Sequence, residues 1–380
     1  MKKDFKNNID VIKKIYLALA FPGTAKNLAM DKILFRKRTP FPRIITMFIT
    51  NKCNLSCEGC LNASYRNKHI AEEQITLDHI KKILPELKKY KPMFYITGGE
   101  AMLNKYTFDI INLLSKNGII TAMSTNGFFL PENVDKILNS GLNFLSVSLD
   151  HYDKKIHNKV KGDNPETFDR AIQGLKNLIG KRSNFKKISL NIKVNTVVRK
   201  ENYNKLPEIY DFVENLGVDE LCIQQYSFYT DKIQKVITQY IDKTGLGEYH
   251  DGVLINEDCY LNPDQVRELV AGFKKVNDKA KIYRAKLSGR PAIDNLEKYY
   301  SGVLPNENSL CVAPLNSLSI LSNANVCLCF GNKMGNLDDG VSLKNMWNSK
   351  ESKDFQDKII ENGFLPPCFG CHSLNYKYND

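Results

Sequence analysis

The sequence has little that would carry it into or across a membrane. Its N-terminal apolar run, Ile15 to Phe21, falls far short of the ~20 residues needed to span a bilayer. Asp4 and Asp10 also interrupt the positive segment that an export signal would place before that run. A helix packed on the following domain is the expectation there, with contact to a membrane surface as the lesser alternative. No internal repeat or low-complexity run is evident. A recognised nucleic-acid module and an aromatic-interleaved basic platform are missing too, so no nucleic-acid partner is expected.

Charge does not alter this reading. The excess of 54 basic over 42 acidic side chains gives a formal charge of +12 over 380 residues, with both signs interleaved along most of the chain. That describes a mildly basic surface that raises the encounter rate with anions, not a basic arm. A hydrophobic content of 42% is enough to bury a sizeable core.

What the chain does have is cysteine. Of its ten cysteines, only Cys222 and Cys259 stand alone; the others fall into the sets Cys53/Cys57/Cys60 and Cys311/Cys327/Cys329/Cys368/Cys371. In a chain of this size, such spacing reads as metal or cluster ligation in a reducing compartment, hence a cytoplasmic protein, and not as a secreted disulfide framework.

From Ile44 onward, short apolar segments alternate with amphipathic stretches of helical length, the signature of repeated strand-helix units and a parallel sheet. Strands are expected at Ile44 to Phe48, Met93 to Thr97, Ile119 to Met123, Phe144 to Leu149, Ile188 to Thr196 and Glu220 to Gln225. Helices are expected at Leu77 to Tyr90, Tyr106 to Lys116, Pro131 to Asn139, Pro165 to Ile179 and Asn204 to Asn215, where apolar residues recur at three and four. The fold class is therefore α/β, a partial (β/α)6 barrel of the TIM type, with functional residues at the carboxyl ends of its strands.

The expected organisation is an N-terminal helical segment at 1–43, the barrel at 44–226, a bridging and substrate-covering segment at 227–306, and a small cysteine-rich domain at 307–380. Within the bridge, the alternation weakens around a Gly245-Leu246-Gly247 break and leaves one clear helix candidate, Pro263 to Val276.

Cys53, Cys57 and Cys60 lie in a loop directly after the first strand. Three thiolates leave one metal position open. A structural zinc site wants four protein ligands, whereas a 4Fe-4S cluster held by three cysteines keeps one iron free for a small molecule. Spacing alone also allows a zinc site completed by His69, or a ferredoxin-type fragment. The second strand then ends in Tyr95-Ile96-Thr97-Gly98-Gly99-Glu100, the third is followed by Ser124-Thr125-Asn126-Gly127, and the fourth closes in Ser146-Val147-Ser148-Leu149-Asp150.

With these elements the chain resembles the radical S-adenosylmethionine (radical SAM) superfamily from about Arg43 to its C-terminus. The resemblance implies that Cys53, Cys57 and Cys60 hold a 4Fe-4S cluster whose open iron chelates the amino and carboxylate groups of the methionine moiety. It implies that Gly98 and Gly99 let the backbone approach the ligand and that Glu100 accepts hydrogen bonds from the amino group. Ser148 would contact the carboxylate, with Ser124, Asn126 and Asp150 near the methionine or ribose.

Two departures stand out. Lys161 occupies a position where relatives often carry arginine, keeping the charge but losing the two-pronged geometry, and Gly59 replaces a common aromatic residue, so adenine packing must come from elsewhere. His151 and His157 are expected to be surface or helix-start histidines. Gln224, Gln225 and Tyr226, at the end of the sixth strand, are expected either to meet substrate or to form a polar rim.

The second cysteine set, on spacing alone, fits either a zinc ribbon or a second cluster. Together with Gly335-Asn336 and Trp347, it resembles the SPASM extension or its shorter Twitch form. This likeness favours Cys311, Cys329, Cys368 and Cys371 as ligands of one auxiliary 4Fe-4S cluster. Cys327 is a neighbour and a further ligand candidate, since residues two apart in a strand share a face.

The implied cofactors are thus two 4Fe-4S clusters and S-adenosylmethionine, with a flavodoxin- or ferredoxin-type electron donor. The implied activity is reductive cleavage of S-adenosylmethionine and hydrogen-atom abstraction, ending in dehydrogenation, cross-linking or epimerisation of a peptide or small molecule. Cys222 and Cys259 are the candidate hydrogen donors for epimerisation. Nothing in the roughly forty residues before the barrel resembles a leader-peptide-binding domain, which weighs against a peptide. The alternative function is a non-catalytic iron-sulfur or zinc protein for electron transfer or scaffolding.

Overall fold

A computed structural model describes residues 37–60, 73–184, 190–225, 231–244, 261–290, 296–301, 303, 309–329, 332–368, 371 and 374. His69, Tyr226, the Gly245 to Gly247 break, Cys259 and all but the last residues of the expected N-terminal helical segment lie outside them.

The strand-helix alternation read from the sequence is present. It runs β1 (Ile44–Phe48), α1 (Leu77–Tyr90), β2 (Met93–Thr97), α2 (Thr107–Lys116), β3 (Thr121–Thr125), α3 (Leu130–Ser140) and β4 (Phe144–Ser148). It continues with α4 (Lys154–Val160), α5 (Thr167–Asn184), β5 (Asn191–Val197), α6 (Leu206–Leu216) and β6 (Glu220–Gln224). In β1, Ile45 and Met47 are fully buried while Ile44, Thr46 and Phe48 are only partly covered. This alternation puts Ile45 and Met47 on the more deeply buried face of the strand. Helix α1 starts at a capping box between Thr76 and His79 and buries Ile80, Ile83 and Leu87 on one stripe.

β3 begins two residues later than the apolar pattern indicated. Gly118, at φ +69°, turns the chain out of α2, and the Ile119 N–H still bonds back to Leu114, so Ile119 and Ile120 are buried inside a turn.

The sheet runs through both expected boundaries of the bridge. After α7 (Asp231–Thr244) and α8 (Pro263–Ile282), β7 (Lys286–Arg290) pairs in parallel with β6 and adds a seventh unit to the barrel side. The chain then passes α9 (Leu296–Tyr300) and α10 (Ala313–Asn316) into β8 (Ser317–Ile320), which pairs in parallel with the opposite edge at β1, followed by antiparallel β9 (Asn325–Cys327) and β10 (Lys333–Asn336). Among the described residues, ten strands form one sheet in the order β10-β9-β8-β1-β2-β3-β4-β5-β6-β7.

Helices α11 (Leu343–Trp347) and α12 (Lys350–Asn362) lock the cysteine-rich end onto this sheet. Both oxygens of Glu86, on α1, accept the N–H groups of Leu343 and Lys344 at the start of α11, at 2.8 and 3.0 Å. Trp347 is fully buried and its indole N–H donates to the Thr39 carbonyl at 2.7 Å. Trp347→Ala should therefore remove about 3–5 kcal/mol of stability, and Trp347→Phe, which leaves the Thr39 carbonyl unpaired, about 1–3 kcal/mol. Urea unfolding followed by circular dichroism checks both.

Candidate functional site

The three-cysteine loop leaves β1 and is held by the end of β2 through main-chain bonds. Ile49 N–H donates to Thr97 O at 2.8 Å, Gly99 N–H to Thr50 O at 2.8 Å and Glu100 N–H to Lys52 O at 2.7 Å. This contact is what the two glycines permit. A Cβ on Gly98 would lie 2.4 Å from Thr50 O, and one on Gly99 would lie 2.1 Å from Lys52 O. The glycine pair thus brings the strand end against the cysteine loop.

The far side of the loop is held in the same manner. Gly162, at φ +86°, leaves room for Ser56, whose Oγ would be 2.4 Å from an added Cβ. Glu58 N–H donates to Val160 O at 3.3 Å, and Arg199 Nη2 donates to Glu58 O at 3.1 Å.

The strand ends and this loop enclose a cavity of about 300 Å³. Cys53, Cys57 and Cys60 line it together with Gly98, Gly99, Ser124, Asn126, Ser148, Asp150 and Lys161, so the chain brings to one place all but one of the residues singled out for this site. The exception is Glu100. It is fully buried, and its carboxylate accepts from Met102 N–H (3.1 Å), Thr125 Oγ1 (2.8 Å) and Asn126 N–H (2.8 Å). Burial raises its pKa against the pull of these bonds. Gln224 and Gln225 line the cavity, and Gln225 accepts from Tyr300 Oη at 2.7 Å.

Asp150 and Lys161 form a buried ion pair at 2.8 Å. Burial alone would raise the Asp150 pKa, but the charges of Lys161 and Arg199 overcome it and bring it down to about 2, so the carboxylate is ionised. Burial likewise opposes the Lys161 cation, while Asp150 and Cys57 hold its pKa above the ordinary value.

His157 is buried and not at the surface. Its Nδ1 accepts from Asp150 N–H at 3.3 Å, its ring meets Phe168 edge-on, and burial lowers its pKa to about 3. His151 is buried as well, with Nδ1 accepting from Asp153 N–H at 2.8 Å.

Arg199, Thr97 and Val197 line the cavity without having been picked out from sequence. The strand-end rule that located Ser124 and Asp150 would have found Arg199, two residues past β5.

At the C-terminal end, Cys368 is buried and Cys329 partly so. The Cys329 thiol is pushed well above its ordinary pKa by burial, and Cys311, Cys368 and Cys371 act on it in the same direction. Cys327 ends β9, and Cys329 falls in the turn after it, where Asn332 N–H donates to Cys329 O at 3.2 Å; the strand alternation that would give both one face stops between them. Cys222 is buried in β6 and does not line the cavity. Among the described residues, no three histidine, cysteine or acidic side chains draw close enough to hold a single metal ion.

Residues 47–213 match a family model described as the radical SAM superfamily, and residues 311–372 match one described as an iron-sulfur cluster-binding domain, SPASM. The chain is 29% identical to an AdoMet-dependent heme synthase of Methanosarcina barkeri over 181 residues, 47% of this chain and 49% of that protein. The match thus spans about half the length of that relative. It is 26% identical to a GTP 3',8-cyclase of Shewanella denitrificans over 80% of this chain and 81% of that one. Its fold resembles that of Streptococcus suis SuiB bound to the precursor peptide SuiA, with a TM-score of 0.61 and 17% identity over 90% of this chain and 74% of that chain. No helix among the described residues is long and apolar enough to cross a membrane.

The neutral state of His157 gives stability a pH dependence. Below pH 6.5 the unfolded chain takes up a proton that the folded chain refuses until about pH 3, so stability falls by about 1.4 kcal/mol per unit. Between pH 8 and 5 the native protein should lose about 2 kcal/mol more than His157→Gln, read from urea midpoints. The Asp150 contribution, lost only between the ordinary carboxylate value of 3.8 and about 2, lies below this window.

Proposed function

The chain belongs to the radical SAM superfamily and carries a C-terminal SPASM domain, and from that premise we propose that it reductively cleaves S-adenosylmethionine to abstract a hydrogen atom from a peptide or small molecule. Cys53, Cys57 and Cys60 would hold the first 4Fe-4S cluster, which when bound supplies an electron and one iron open to the methionine amino and carboxylate groups.

The observation that carries the reading is the convergence of those three thiols with Gly98, Gly99, Ser124, Asn126, Ser148, Asp150 and Lys161 on one cavity. The fit is chemical as well as spatial. Three thiols, with no fourth cysteine and no histidine among the described residues that line the cavity, suit a cluster with an open position. The ionised Asp150 offers an acceptor to hydroxyl or ammonium groups. Lys161 and Arg199 supply positive charge toward a carboxylate, although Lys161 shares its charge with Asp150.

Cys311, Cys329, Cys368 and Cys371 would hold the auxiliary cluster. Full cysteine ligation would suit it to receive the electron given up by a substrate radical, which favours dehydrogenation or cross-linking. Epimerisation needs a hydrogen donor; of the two candidates, Cys222 stands apart from the cavity lining and Cys259 lies outside the described residues. The name of the SuiB structure includes a precursor peptide, while those of the heme synthase and the GTP cyclase point to small molecules; both substrate classes therefore stay in the proposal. The electron would come from a flavodoxin- or ferredoxin-type donor in the cytoplasm.

Anaerobic reconstitution with iron and sulfide tests this. The native protein is expected to bind about eight irons and the Cys53/Cys57/Cys60 triple alanine variant about four, with 5'-deoxyadenosine formed from S-adenosylmethionine and dithionite by the native protein alone. Iron binding with no deoxyadenosine would instead support a non-catalytic electron-transfer or scaffold protein, and zinc at the C-terminal cysteines would overturn the auxiliary cluster.

A further inference from the structure

The side chain of Asn126 faces the cysteine loop. Its Oδ1 accepts from Phe128 N–H at 2.9 Å, which fixes the opposite end of the amide as the donor. One N–H of Nδ2 is within bonding distance of Asn54 Oδ1, at 2.9 Å, and the same nitrogen lies 3.9 Å from Cys53 Sγ. Because Asn54 Oδ1 is taken by Asn126, Nδ2 is the donor end of the Asn54 amide. It is buried one residue from Cys53 and has no hydrogen-bond partner among the described residues. Asn126 Nδ2 is therefore the donor within reach of the Cys53 thiol, and a second, unpartnered amide donor is carried by the next residue in the chain.

Behind them is Glu100. Its buried carboxylate takes Asn126 N–H on one oxygen and the Thr125 hydroxyl on the other, fixing the loop from which the Asn126 side chain projects. Gly127, at φ +86° with Ala171 only 2.7 Å from the place of a Cβ, allows the chain to turn there.

We propose that Asn126, with Asn54 beside it, donates N–H hydrogen bonds on the Cys53 side of the first cluster and raises its reduction potential, and that Glu100 is the positioning residue that holds Asn126 there. The inference rests on the reading of Cys53 as a ligand of that cluster. Reduction adds negative charge to the cluster, so donors aimed at its sulfur stabilise the reduced form more than the oxidised one. This gives the glutamate of the Gly98-Gly99-Glu100 element work to do although its carboxylate is outside the cavity.

The test uses the full-length protein, reconstituted anaerobically, with asparagine side chains labelled with ¹⁵N. Pulsed EPR of the reduced cluster whose signal changes on addition of S-adenosylmethionine is expected to show weak ¹⁵N coupling. In an EPR-monitored redox titration, Asn126→Asp, nearly isosteric but without the N–H donors, should keep its iron and lower the midpoint by at least about 59 mV, a tenfold change in the reduced-to-oxidised ratio. Asn126→Ser should shift the midpoint in the same direction, Glu100→Gln by less, and the C-terminal cluster should stay unmoved in all three. Absence of ¹⁵N coupling in the native protein, a reading that needs no variant, or unchanged midpoints in both Asn126 variants overturns the inference. A native protein that binds no iron through Cys53 fails at the iron count, before any potential is measured, and overturns the functional reading itself.

Discussion

The site depends on a close main-chain contact between the cysteine loop and the end of β2. Loops that carry three ligands are costly to order, because each fixed residue loses roughly 1–2 kcal/mol of backbone entropy. Here, hydrogen bonds from Gly99 and Glu100 to Thr50 and Lys52 offset that cost, and the close approach needs glycine because a Cβ on Gly99 would stand 2.1 Å from Lys52 O. Once the loop is fixed, the ends of β3, β4 and β5 lie opposite it, and Asn126, Asp150 and Arg199 reach the same cavity.

A second constraint couples the two cysteine regions. Since β8 pairs with β1, the strand that leads into the first cysteine loop is also the strand that anchors the C-terminal one. Thr39 accepts from Trp347 and donates to Leu315, and Glu86 caps α11, so the segment before β1 and helix α1 both hold the C-terminal region.

Much of this was legible in the sequence, for definite reasons. β1 and β2 are compact apolar runs with clear ends, and their bounds agree with the sequence reading. β7, Lys-Leu-Ser-Gly-Arg, has no apolar run, because an edge strand with one covered face needs none, and it went unread. The buried histidines were missed because their burial comes from long-range packing: His157 lies under Phe168, and both rings accept local N–H groups in place of water. Family likeness pointed Glu100 at a ligand, whereas its bonds to Thr125 and Asn126 turn it toward the neighbouring strand end. A residue ten or more positions from its partners gives no local signal of that orientation.

The central claim is that the loop of Cys53, Cys57 and Cys60 presents an open iron to the cavity. Adding S-adenosylmethionine to the dithionite-reduced protein and recording its EPR spectrum tests this most directly. A ligand on the open iron alters the g values of that cluster, so the account predicts a shift that persists in a Cys311/Cys368 double alanine variant and vanishes in Cys57→Ala. An unaltered native spectrum, or a shift that survives Cys57→Ala, would contradict it.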